Sequence, residues 1–177
     1  MSDEAIDDPC EYMAQLAQRI LPLAKWGFEE NFRLRETLIY NSKLCRLKIL
    51  WGGWDYMGGN SISIHYGRLH APNEAAVMQW NGEECNSWHD MEYALHFLDF
   101  LDGQKLPDKI PLFWLDSHPV KEEFKQSELA QSLGRGQQPE WLMYIHAAVW
   151  ERYAPRLFEV FDLRRPELWE QFRDFLR

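Results

Sequence analysis

Cysteine is scarce in this chain. Three thiols, Cys10, Cys45 and Cys85, stand far apart among 177 residues. An odd, scattered set of this kind does not build the disulfide framework of a small secreted domain. Long apolar runs are missing too. The longest, Trp141 to Trp150, is interrupted by His146, and a bilayer crossing takes about 20 apolar residues. The opening Met1-Ser2-Asp3-Glu4 lacks the basic start and apolar segment of a secretory signal. A cytoplasmic protein with reduced thiols is expected. Positive charge is in deficit as well, with 19 Lys and Arg against 28 Asp and Glu and a net charge of −9. Nucleic acids and anionic membranes are held by excess Lys and Arg, so neither is an expected partner.

What the chain has instead is aromatic mass: 9 Trp, 7 Tyr and 10 Phe, within an apolar share of 46%. That composition belongs to a folded chain with a core, not to a disordered one. No internal repeat or low-complexity tract divides it. One globular domain is expected over residues 8–177, behind an acidic, disordered N-terminal stretch at 1–7.

Asp8, Pro9 and Glu11 read as an N-cap, a proline in the first turn and a capping-box partner. Tyr12, Met13, Leu16 and Ile20 continue at helical spacing until Pro22. The pattern then changes to period two. Phe32 to Arg35, Cys45 to Ile49 and Ser61 to Tyr66 alternate apolar and polar residues, as half-buried antiparallel strands do. Trp51 to Asn60 reads as a long hairpin loop. Ala76 to Trp80 ends in Asn81-Gly82, a tight-turn signal, with Glu83 to Cys85 returning. A helix is expected from Trp88 to about Leu101, capped by Ser87 and Asp90 and stopped by Gly103. Further helices are expected from Pro119 to Gly134, from Pro139 through Trp150, and from Pro166 onward, with a short segment at Arg156 to Phe161. Strands thus cluster in residues ~31–86 with helices before and after. The expected fold is α+β, an antiparallel sheet of four to five strands with helices from both flanks packed mainly on one face.

Charge is segregated along the chain. Residues 1–30 carry a net −5, residues 31–70 a net +4, and residues 71–102 a net −7 with no Lys or Arg at all. Arg33, Arg35, Arg46 and Lys48 occupy the polar positions of the expected strands. Alternation places all four on the outer face of the sheet, as an anion-binding face or as a plain solvated one.

Histidine and acid concentrate in His65 to Asp99. His65, His70, Cys85, His89, Glu92 and His96 make a candidate strand-end pocket for proton transfer or a small ligand. His89, Glu92, His96 and Asp99 also fall on one stripe of the expected helix, which equally describes the wet edge of a core helix. The recurrent Cys-x2-Cys pair of structural zinc sites is absent, and no metal or other cofactor is expected. No nucleophile elbow occurs, and the glycine pairs at 52–53 and 58–59 do not open helices, so they are not phosphate loops.

The leading expectation is a non-catalytic cytosolic binding protein acting through a protein partner, as an inhibitor, immunity-type protein, adaptor or assembly factor does. Its acidic surface would carry Trp54, Glu74, Trp80, Glu83, Glu84 and Asp90, since Trp anchors interfaces and acid steers a basic partner. The alternative is an enzyme, small-ligand or metal binder using the histidine-rich strand ends.

Overall fold

The computed structural model describes residues 6–52, 61–69, 77–80, 83–86, 88–89, 91–103, 123–133, 138–159 and 174. Helix α1 runs from Pro9 to Ile20. Asp8 caps it as expected, its carboxylate accepting the Glu11 backbone N–H at 3.0 Å. The other half of the capping box does not form. The Glu11 carboxylate turns away to Gln15 and to Arg33 of the first strand. Cys10, Met13, Ala14, Leu16 and Ala17 make the buried face. Leu21 leaves the helix in extended backbone just before Pro22, which has no N–H to continue it.

The sheet has five antiparallel strands in the order β1-β2-β3-β4-β7. They are β1 (Glu29–Leu34), β2 (Thr37–Asn41), β3 (Arg46–Trp51), β4 (Ile62–Gly67) and β7 (Trp88–His89). Among the described residues, strands β5 (Val77–Trp80) and β6 (Glu83–Asn86) pair only with each other, as a hairpin with Trp80 opposite Glu83. The fold is therefore α+β with an antiparallel sheet, as expected, but membership of the sheet differs in two places. The 77–86 hairpin stands outside it, and β2 and β7 stand inside.

Strand β2 has a physical reason for escaping a period-two search. Leu38, Ile39 and Tyr40 are all buried, so the strand has no wet face to supply alternation. Its connection to β1 is also unmarked. Arg35 and Glu36 make a two-residue turn with Arg35 at φ 54°, a left-handed position where glycine or asparagine is usual.

One face of the sheet carries Leu38, Tyr40, Leu47, Ile49, Ile62, Ile64 and Tyr66. It packs against α1, against α2 (Met91–Leu101), and against Met143, Val149 and Trp150 of the long helix. Ser127 divides the helix expected over Pro119 to Gly134. Residues 123–125 are helical, and Ser127 caps the next helix, α3 (Glu128–Ser132), accepting from the Ala130 N–H at 3.2 Å. The following helix, α4 (Gln138–Tyr153), lies against both α1 and β4, the central place its apolar sequence calls for. Its first residue holds the sheet directly. The Gln138 side-chain amide accepts from the Ile62 N–H at 2.9 Å and donates to the Ile62 carbonyl at 3.1 Å. A short helix, α5 (Arg156–Glu159), follows and brings Leu157 and Phe158 into the same core. The helix expected from Pro166 lies outside the described residues, apart from Asp174, which is helical.

At the centre of this core Trp150 Nε1–H donates to Tyr66 Oη at 2.6 Å, and Tyr66 Oη lies 2.7 Å from His146 Nδ1. An indole N–H can only donate, so the phenol accepts from it and has its own proton to give to the imidazole. Phe28 stacks on Trp150, and Phe158 meets both rings edge to face. No helix among the described residues is long and apolar enough to cross a membrane.

Candidate functional site

The second face of the sheet is the unusual one. A bulge between Glu30 and Phe32 shifts the β1 register by one residue and so exchanges its faces. Phe32 then pairs with Ile39, Ile39 with Lys48, and Lys48 with His65, so these four residues form one row across the sheet. Arg46 pairs with Asn41 and with Gly67 in the parallel row, and Ser63 flanks His65 two residues along β4. Gly67 pairs with Trp88 of β7. The Trp88 ring lies flat over that glycine. A Cβ at Gly67 would stand 2.6 Å from Trp88 Cε3, closer than any side chain is tolerated.

Cations fill the space beside this ring. Lys48 Nζ is 4.2 Å from the Trp88 centroid, and the Arg46 guanidinium carbon is 5.6 Å from it. The Arg46 side chain is held in place, Nε donating to Asn41 Oδ1 at 2.8 Å and Nη2 to Asn31 Oδ1 at 3.3 Å. His65 Nε2 lies 3.2 Å from Ser63 Oγ. Lys48 is 2% exposed and Arg46 6% exposed, so neither is a solvated surface charge. Burial, and then the Arg46 charge, lower the Lys48 ammonium from 10.5 to about 8. Burial, and then the Lys48 charge, lower the His65 imidazole from 6.5 to about 4, so it is neutral at physiological pH. Ile39, Trp88 and Phe32 make a small apolar cluster around these groups.

The expected anion face is therefore only half assembled, and it is buried. Arg46 and Lys48 share it. Arg33 belongs to the opposite face, level with Leu38, where it forks onto Glu30 through Nε and Nη2 and reaches Glu11 of α1 through Nη1. Those carboxylates raise its already high pKa further. Arg35 is in the β1–β2 turn.

The expected strand-end pocket fares differently. His65 and His89 stand on neighbouring strands, but His89 pairs with Tyr66, so its ladder position belongs to the helix-packed face and that of His65 to the other. Trp88 and His89 form a strand where a helix start was expected, which removes His89 from the stripe with Glu92, His96 and Asp99. His96 is buried in α2, 7% exposed, while Asp99 of the same stripe is half-buried. Cys85 pairs with Met78 in the separate hairpin. Glu83 and Trp80 face each other across the same hairpin, and Glu84 pairs with Gln79. Glu92 is in the first turn of α2. Trp54, His70, Glu74 and Asp90 lie outside the described residues. Among the described residues no three His, Cys, Asp or Glu side chains are grouped to hold a metal ion.

The sequence reading missed Trp88 as a ring packed over the sheet. The available signal was Gly67 at the end of a strand, which marks a close approach by another group. Compared with known protein families, with curated proteins and with solved structures, the chain matches none.

Proposed function

We propose that this is a non-catalytic binding protein that acts through a protein partner and recognises it with an acidic surface. One observation carries the reading. Arg46, Lys48 and Arg68, half of the six cations in the basic stretch 31–70, are 6%, 2% and 4% exposed. The fold thus withdraws positive charge from solvent in a chain that is already at −9. Among the described residues no Asp or Glu is buried, so their solvent-facing charge is more acidic than their composition alone implies, and a field of that kind steers a basic partner into encounter. The stretch 71–102, with seven acids and no Lys or Arg, supplies the densest negative charge. Glu83 and Glu84 within it belong to β6 of the hairpin, which pairs with no other strand among the described residues.

The test is capture from the cells of origin by the wild-type chain and by a Glu83→Lys/Glu84→Lys variant, at low salt and at high salt. The expected result is a partner rich in Lys and Arg that the wild type retains at low salt, and that is lost both in the variant and in high salt. A partner held equally by both chains, or held without salt dependence, overturns the reading.

A further inference from the structure

We propose that Lys48, Arg46, His65 and Ser63 form an internal binding site for a small oxyanion, the carboxylate or phosphate group of a low-molecular-weight ligand. This site is independent of the acidic surface and lies on the second face of the sheet. The argument begins with Lys48. Its ammonium is buried at 2% exposure, and its charged neighbours among the described residues are Arg46 on its own strand and His65 across the β4 ladder. Strand β2 contributes Ile39 and Asn41 to this face and β7 contributes Trp88, none of which bears a charge; β1 contributes Phe32 and, on the far side of the bulge, the exposed Glu29, whose row reaches Arg46 only across β2. Among the described residues no carboxylate pairs with Lys48. Burying a charge without a counter-ion is costly, and buried charges are ordinarily paired. The ring of Trp88 offsets part of this, but a quadrupole does not neutralise a cation.

An oxyanion beside Lys48 supplies a negative charge to the ammonium and accepts charge-assisted hydrogen bonds from it. The neighbouring groups suit the same guest. Neutral His65 keeps one ring N–H to donate, and the Ser63 hydroxyl, 3.2 Å from His65 Nε2, adds a donor that rotates to fit. The Asn41 and Asn31 amides hold the Arg46 guanidinium in one orientation, so little is lost in ordering it. His65, half-buried, is the most exposed of the four residues.

The probes are inorganic phosphate and acetate, each titrated into the full chain against chloride at matched ionic strength. Thermal unfolding and the C2-proton resonance of His65 are followed. The expected result is that one or both probes raise the melting temperature saturably, and that the His65 titration moves upward when the site is filled. Lys48→Met should weaken the bound probe about tenfold or more, the usual consequence of losing a charge-assisted bond. Lys48→Arg, which keeps the charge, should retain most of the affinity. Lys43→Gln, at a turn position away from this face, should change nothing. A phosphate-only response identifies a phosphorylated ligand, and an acetate-only response a carboxylate. The proposal is overturned if neither probe stabilises the wild type beyond chloride, or if Lys48→Met responds as the wild type does.

Discussion

A buried lysine costs stability, and in this protein the cost can be measured. In the folded chain Lys48 is 2% exposed and its ammonium is lowered from 10.5 to about 8. At pH 7 the unfolded chain therefore holds this proton more tightly than the folded chain does. A shift of that size corresponds to about 3 kcal/mol of destabilisation. The contact with Trp88 returns about 0.5–2 kcal/mol of it. Lys48→Met keeps the length of the side chain, removes the charge, and fits between Ile39 and Trp88. In ligand-free buffer at pH 7 the variant should be more stable than the wild type by about 1–3 kcal/mol, since replacing a buried charge by an apolar side chain of similar volume commonly stabilises. The dependence on pH gives the sharper signature. A base whose folded pKa is depressed penalises folding fully below that value, and the penalty fades as pH rises toward the unfolded value. The advantage of Lys48→Met should therefore be largest at pH 7, shrink from pH 8 upward, and nearly vanish by pH 10.5. Urea unfolding of both chains at a series of pH values measures it, and the difference between them cancels every other titrating group. A variant no more stable than the wild type at pH 7, or a gain that stays constant up to pH 10, would refute this account of Lys48. The same substitution should weaken oxyanion binding, so stability and affinity should move in opposite directions.

Three further outcomes are expected. His65 is lowered from 6.5 to about 4 by burial and then by Lys48, so its contribution to stability is intact above pH 6.5 and is lost as pH falls toward 4; this amounts to about 2–3 kcal/mol by pH 4.5, read as the difference between wild type and His65→Gln in acid unfolding. Trp150→Ala should cost about 3–5 kcal/mol, because it empties a fully buried site and removes the indole donor to the Tyr66 hydroxyl, whereas Leu142→Ala, at a half-buried position of the same helix, should cost clearly less in the same denaturant titration. Gly67→Ala should cost about 1–3 kcal/mol by pushing the Trp88 ring off the sheet, and it should bring the Lys48 titration closer to 10.5, observable by NMR of the side-chain amine.

Local rules made several elements legible. The Asp8-Pro9 start of α1 and its end before Pro22 follow from backbone groups that only certain residues can satisfy or must leave unsatisfied. The central place of the Trp141 to Trp150 segment follows from its lack of a polar face. The α+β class follows from a block of period-two sequence between helical blocks. The strand content was less legible at β2, where burial on both faces erased the alternation, and at Trp88–His89, where an apparent helix cap precedes two residues of strand. The candidate site was legible only in part. Arg46 and Lys48 were visible as a pair two residues apart on one strand, but their burial was not.

Composition and pattern alone determined the class of fold, the net negative charge and its division along the chain, because these depend on residues counted or compared with near neighbours. The tertiary structure decided which charges face water. One extra residue in β1 moves Arg33 to the helix-packed face, where Glu11 and Glu30 bind it, and leaves Lys48 and Arg46 under Trp88 on the other. Alternation places successive side chains on opposite faces, but it does not say which face is covered. That depends on strand register and on a ring brought from 40 residues farther along the chain, from Lys48 to Trp88.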